Sequence, residues 1–248
     1  MQLEVVEVAP GVHHARAKHV SWVLVTDGTE VTLVDSGYPG DRPRVIASLE
    51  SIGRSPADLG AIVLTHGHPD HIGSAEYLRR AHRVRVMAHE HEAANARGIR
   101  IEQVSEATLL RMLWRSDVAV WLFDVLRLKA ARPERLRELD QFTEGRLDVP
   151  GAPVPIPTPG HTSGHTSFHL VDRGALLAGD ALMTGHALVK QRGPQLLPGF
   201  FNVDTAQARE SLGRLRGLAA EVVVPGHGPA FEGSPETAVS MALDRAPR

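Results

Sequence analysis

Seven residues, "THGHPDH" at positions 65 to 71, hold three histidines and an aspartate directly after the apolar run Ala61-Ile62-Val63-Leu64. Imidazole and carboxylate are nitrogen and oxygen donors for divalent cations, and they must converge to within about 2 Å of the ion. A loop at the C-terminal end of a strand is a favourable place to gather them. Gly67 lets His66 and His68 point to one side, Pro69 stiffens the turn, and Asp70 with His71 leads into a following helix. The loop thus offers two donor pairs, His66/His68 for one metal and Asp70/His71 for a second. A solvated, histidine-rich loop is the alternative, and only further donors elsewhere in the chain distinguish the two.

Such donors stand at three other strand ends. "PTPGHTSGH" places His161 after an extended segment and a Pro-Gly turn. "LLAGDALM" places Asp180 after an apolar strand and a glycine, and "VVVPGHGP" places His227 after another. The chain has no cysteine, so disulfides, thiolate catalysis and thiolate ligands are excluded, and any metal is held by nitrogen and oxygen. The remaining histidines read as surface or structural residues. His165 and His186 lie close enough in sequence to the proposed donors to support them, and Asp35, in "LVDSG", is either a turn-former or an acceptor for a ligating imidazole.

The elements that must position these residues follow from periodicity. Through residue 36 the chain reads as β, with "SWVLVTDG" and "TEVTLVDSG" joined through Asp27-Gly28. In "GDRPRVIASLESIG" the apolar residues Val45, Ile46, Leu49 and Ile52 switch to helical spacing, with Asp41 as N-cap and Gly53 past the end. "AIVLT" is a short strand buried on both faces, "GSAEYLRRAH" a helix, and "RVRVMAH" a strand. Residues 92 to 146 read as a long helical insertion, either ordinary packing or a lid or dimer face. The β pattern then resumes in "GAPVPIPTPG", "HTSFHLV" and "GALLAGD", followed by a helix from Asp204 to about Leu215, the strand "EVVVPGHG" and a closing helix from Ser234. Both halves run strands, helix, then a strand ending in a histidine loop, which fits two face-to-face sheets with helices outside.

Composition bounds the rest. A chain of 248 residues with 42% hydrophobic content buries a substantial core, and no linker or repeat divides it, so 1–248 is expected to be one unit. With 27 Lys+Arg against 29 Asp+Glu, charge provides no argument for nucleic acid or an anionic membrane as partner. No stretch approaches the roughly 20 apolar residues of a membrane span, and no signal peptide is visible, so a cytoplasmic location is expected.

The residues resemble the metallo-β-lactamase-fold hydrolase superfamily, whose H-x-H-x-D-H signature is matched by His66, His68, Asp70 and His71; "PGHTSGH", "LAGD" and "VPGHG" resemble its later motifs in the same order. The resemblance implies an α+β fold, a four-layer αββα sandwich with the metals at one edge. By that analogy His66, His68 and His161 bind one metal, Asp70, His71 and His227 a second, and Asp180 bridges them. The ions would be two divalent metals, zinc first, with iron or manganese as alternatives. Two cations sharing a water lower its pKa and present hydroxide to a polarised carbonyl, with Asp70 orienting it. The absence of cysteine and the bridging place of Asp180 resemble the glyoxalase II and lactonase branches more than the true β-lactamases. A small ester, thioester or lactone is the expected substrate. A mononuclear iron dioxygenase of the persulfide type and a phosphodiesterase or nuclease share the scaffold and stand as alternatives. Substrate contacts are expected from Lys190, Arg192, Trp114, Trp121 and Phe123. The apolar helices of residues 109 to 126 make a homodimer an expectation as well.

Overall fold

The computed structural model describes residues 3–245. The first sheet has seven strands in the order of the chain: β1 (Glu4–Ala9), β2 (Val12–Arg16), β3 (Ser21–Asp27), β4 (Glu30–Val34), β5 (Leu59–Val63), β6 (Arg85–His89) and β7 (Asp140–Phe142). The first four pair antiparallel, and β5, β6 and β7 continue in parallel from β4. Parallel pairing requires crossovers. The helices α1 (Arg42–Ser51), α2 (Pro69–Ile72) and α3 (Ala75–His82) lie in the first two of them, and α4 (Ala93–Ala96), α5 (Glu106–Arg111) and α6 (Ser116–Arg127) in the third. The second sheet holds β8 (Val154–Pro157), β9 (Thr166–Leu170), β10 (Ala175–Gly179), β11 (Val222–Pro225) and β12 (Phe231–Glu232), in the spatial order β12-β11-β10-β9-β8. Between β10 and β11 the chain forms α7 (Thr205–Ser211), and α8 (Pro235–Arg245) closes the described part.

Each central strand is apolar on both sides because each side meets a different layer. On β3, Val23 and Val25 face the second sheet while Trp22 and Leu24 face the helices. The inner layer is completed by Val34, Val63, Phe168, Leu177 and Val224. Outside the first sheet, Val45 and Leu49 of α1, Leu78 of α3 and Val118 and Val125 of α6 cover Leu33 and Ile62. Outside the second sheet, Ala238, Val239 and Ala242 of α8, with Leu212 and Leu215 after α7, cover Leu176 and Val223. The result is the four-layer αββα sandwich, an α+β fold, with three apolar layers stacked between helices and sheets.

Two readings need correction. Residues 92 to 146 are not helical throughout: after α6 the chain is irregular, and Asp140–Phe142 joins the first sheet as its edge strand. Phe142 is drawn inward, its ring 5.8 Å from Phe168 of the facing sheet, and three residues are too few for periodicity to betray a strand. The helix expected from Asp204 to Leu215 stops at Ser211, and Leu212–Leu215 tightens into a 3-10 turn. Asp204 does cap α7, accepting the Gln207 N–H at 2.9 Å. Among the described residues no helix is long and apolar enough to cross a membrane.

Trp22, the largest fully buried side chain, has its indole N–H satisfied only by Ser48 of α1, at 2.9 Å. Ser48→Ala strands that donor in an apolar layer, so stability to urea should fall by about 1–3 kcal/mol. The far-ultraviolet spectrum should be unchanged, and a drop under about 0.5 kcal/mol would contradict the assignment.

Candidate metal centre

Every proposed donor stands just past the C-terminal end of a strand, at one edge of the two sheets. His66 follows β5, and His68 directly precedes α2, which carries Asp70 and His71. His161 follows β8, Asp180 follows β10, and His227 follows β11. The seven fall into three overlapping groups whose donor atoms lie within 4.8 Å of one another: His66, His68 and His161; His66, His71 and Asp180; Asp70, His71 and His227. Asp180 joins the groups. Its Oδ2 is 3.1 Å from His227 Nε2, 3.4 Å from His161 Nε2 and 3.9 Å from His66 Nε2, and its Oδ1 is 3.5 Å from His71 Nε2. Asp70 Oδ2 is 3.6 Å from His227 Nε2 and 3.7 Å from His71 Nε2. Two donors each about 2.0–2.1 Å from one tetrahedral cation lie about 3.4 Å apart, so these spacings suit shared ions.

Each of the five imidazoles has one ring nitrogen spent on an outer acceptor and the other turned inward. His71 Nδ1 donates to Asp35 Oδ2 at 2.7 Å. His66 Nδ1 donates to Thr65 Oγ1 at 3.0 Å, and that hydroxyl donates to Asp35 Oδ2 at 2.7 Å. His161 Nδ1 donates to Asn202 Oδ1 at 3.1 Å, and His227 Nδ1 to the His19 carbonyl at 2.7 Å. His68 is reversed: its Nε2 donates to the Glu102 carbonyl, which leaves Nδ1 facing His161 Nε2 at 3.0 Å. Such outer acceptors fix the tautomer and raise the basicity of the inward nitrogen. Buried donors left without partners supply the test of fit for a cation. His66 Nε2, His71 Nε2 and Asp180 Oδ1 are inaccessible to solvent and meet no hydrogen-bonding partner. A cation between them would satisfy all three at once, so the residues present fit a metal ion.

The electrostatics agree. Burial drives His66 well below its ordinary pKa, aided by His71 and His68, and takes His68 down to about 3. Burial also opposes a charge on His71, but Asp180, Asp35 and Asp70 outweigh it and push the ring up to about 10. His227 is raised in the same way, burial opposing and Asp180 prevailing. For Asp180 burial acts upward, while His227 and His71 hold it well below the usual carboxylate range.

Asp35 sits at φ 61°, a conformation disfavoured for a residue with a side chain, and is held there by its N–H to Val63 O at 3.0 Å. That strained turn aims its carboxylate at Thr65 and His71 at once. His165 acts one step away: Nδ1 pairs with Thr158 Oγ1 at 2.9 Å and Nε2 accepts the Asp180 backbone N–H at 2.9 Å. It therefore places the residue that joins the groups. His186 bonds no donor residue, and its ring packs 5.2 Å from His227 and 5.4 Å from Phe201. Gly226 matters through absence, since a Cβ there would run into Asp180 Oδ1 and His71. Gly67 is needed less for the turn than for α4, whose Ala96 N would lie 2.7 Å from an added Cβ.

A cavity of about 310 Å³ opens over the donors. Of the expected substrate contacts only Trp121 lines it. Trp114, on the turn before α6, is 83% exposed, and Phe123 points to solvent because it lies two positions from Trp121, just over half a helical turn round α6. Lys190 and Arg192 are exposed outside the cavity; the Arg192 guanidinium lies over Gly185, and its carbonyl accepts from Arg245. Residues without a sequence signal also contribute. Glu92, wholly buried, accepts from Gly67 N at 2.7 Å and Asn95 Nδ2 at 2.6 Å on one side, and from Thr162 Oγ1 at 2.7 Å and Gly164 N at 3.1 Å on the other. Tyr38 lines the cavity beside Asp70, its phenol pKa raised by burial and by Asp70. In the sequence Glu92 looks like any helix-surface acid and Tyr38 like a turn residue.

Comparison with known proteins places residues 15–227 on the model of the metallo-beta-lactamase superfamily. The chain is 29% identical over 236 residues to the probable metallo-hydrolase YflN of Bacillus subtilis (strain 168), covering 90% of this chain and 85% of that one. It is 28% identical to the uncharacterized protein YobT of the same strain, covering 92% and 90%. In structure it is similar to the metallo-beta-lactamase family protein TTHA1429 from Thermus thermophilus, with TM-score 0.67, 23% identity, and coverage of 95% and 79%.

Two outcomes are expected. Asp35→Ala frees His71 and the Thr65 hydroxyl, and zinc affinity in chelator competition should weaken about 10- to 100-fold. Metal-free protein at pH 7.5 keeps a proton on His71, because that pH is below about 10. Zinc uptake must expel it, so calorimetry in buffers of different ionisation enthalpy should show proton release, and affinity should rise from pH 6 to pH 8. Uptake without proton release would contradict the arrangement.

Proposed function

The chain belongs to the metallo-β-lactamase superfamily, and from that premise we propose that it is a dinuclear metal-dependent hydrolase acting on the carbonyl of a small ester, thioester or lactone. The observation that carries the reading is the pair of donor sets meeting at Asp180: one of histidines alone, one with Asp70, His71 and His227. A mononuclear iron dioxygenase needs a single set and gives the second no task. A phosphodiesterase would expect cationic side chains around the substrate, and among the described residues no lysine or arginine lines the cavity.

When bound, two divalent ions supply a hydroxide nucleophile near neutral pH and Lewis acidity toward the carbonyl oxygen; zinc suits the nitrogen-rich sets, and iron or manganese would also be accepted. The protein's own residues orient the chemistry. His66, His68 and His161 would hold the first ion, Asp70, His71 and His227 the second, with Asp180 between them. Asp70 is placed to accept a proton from the attacking water, because it is the donor carboxylate most open to the cavity. Tyr38 sets a phenol beside that carboxylate, and a phenol that resists ionisation remains a hydrogen-bond donor. Trp121, Phe201 and His186 pack against one another along the cavity wall and give the site an apolar side.

The test is turnover by zinc-loaded protein on a panel of esters, thioesters and lactones, with metal content measured alongside. The proposal expects close to two metals per chain and turnover that collapses to background in a His66→Ala/His68→Ala protein. One iron per chain with oxygen uptake would assign the dioxygenase chemistry instead. Cleavage of bis-p-nitrophenyl phosphate in preference to every ester would assign the phosphodiesterase.

A further inference from the structure

The cavity over the donors is asymmetric. Its floor is metal-ligand chemistry, and its far wall is made by Leu109 and Leu110 of α5 and by Trp121, Leu122, Val125 and Leu126 of α6. Leu197 and Phe201 also line the cavity, the Phe201 ring 5.9 Å from that of Trp121. Trp121 and Val125 are buried at the base of the wall, while Leu110 and Leu126 remain 64% and 49% exposed, so its outer part is apolar surface open to solvent. Among the described residues the lining carries the carboxylates Asp70, Asp180 and Glu106 and no lysine or arginine. Away from the floor, a second negative charge on a substrate would meet only Glu106, while an apolar arm would find a wall already in place. Unpaired charge in such a surround is costly, and each methylene moved from water onto it is worth about 0.8 kcal/mol.

We propose that the site takes an uncharged ester or lactone carrying an apolar arm of several carbons, which lies along the α5–α6 wall, and that it disfavours substrates with an additional anionic group. This rests on the hydrolytic reading above. It divides the labour of the site: the floor recognises the reacting carbonyl, and one segment, residues 104 to 131 with α5 and α6, recognises what is attached to it.

Metal-loaded protein acting on p-nitrophenyl alkanoates from two to ten carbons tests this. While methylenes are being buried, kcat/KM should rise about fourfold for each one added, the equivalent of about 0.8 kcal/mol. The same esters ending in an ω-carboxylate should be cut at least about tenfold more slowly than their neutral counterparts, and Leu126→Arg should narrow that gap at least about tenfold. A flat chain-length profile, or a preference for the ω-carboxylate series, overturns the proposal while leaving hydrolysis standing. If the wild type cuts no ester, the hydrolytic reading falls, and binding then decides the cavity by itself. In a Trp114→Phe protein, titration with 2-hexanone, 2-octanone and 2-decanone followed by tryptophan fluorescence should tighten with every added pair of carbons. Equal or absent binding across the three ketones overturns the proposal.

Discussion

Everything at this edge of the molecule depends on concentrating like-natured donors at the buried floor of a cavity. Five imidazoles and two carboxylates converge where His66 and His71 are wholly buried, and rings approach to 4.1 Å between centroids. Left to themselves such groups would recruit water or spread apart. They stay because each ring is pinned from behind by an oxygen acceptor: Asp35, Thr65, Asn202 and the carbonyls of His19 and Glu102. The pins set direction and leave the inward atoms unsatisfied, so the geometry is complete only with a cation. Function here begins as a deliberate deficit of hydrogen bonds.

The sandwich exists to hold that deficit. Strands buried on both faces end at one edge, and their register brings donors from residues 66 to 227 within a few ångströms. Backbone bonds across the edge tie the pieces: Ser21 N to Gly226 O at 2.8 Å, Gly226 N to Gly179 O at 2.8 Å, Thr166 N to Thr65 O at 3.0 Å. Each joins a loop that carries a donor to a neighbouring strand, so the donors inherit the rigidity of the sheets rather than the mobility of loops.

Much of this was legible in the chain. The helix at Arg42–Ser51 and the strands before each candidate donor follow from period changes, and the common edge of the seven from the family resemblance that their motifs carry. What was not legible is what depends on approach between distant segments. Glu92 and Tyr38 carry no local mark of their place, because burial of an acid or a phenol is decided by which glycines and N–H groups come to meet it. The same limit explains Lys190 and Arg192: proximity to Asp180 in sequence suggested the cavity, yet the loop runs outward after His186. Trp114 and Phe123 failed for another reason. A helical segment has several faces, and aromatic content alone does not say which one meets the site.

The carboxylate of Glu92 joins the loop bearing His66 and His68 to the loop bearing His161, and it does so with four short bonds in a dry interior. A buried acid that touches no donor atom thus ties the two donor-bearing loops to each other, and the spacing between His66, His68 and His161 rests on a residue outside the donor set.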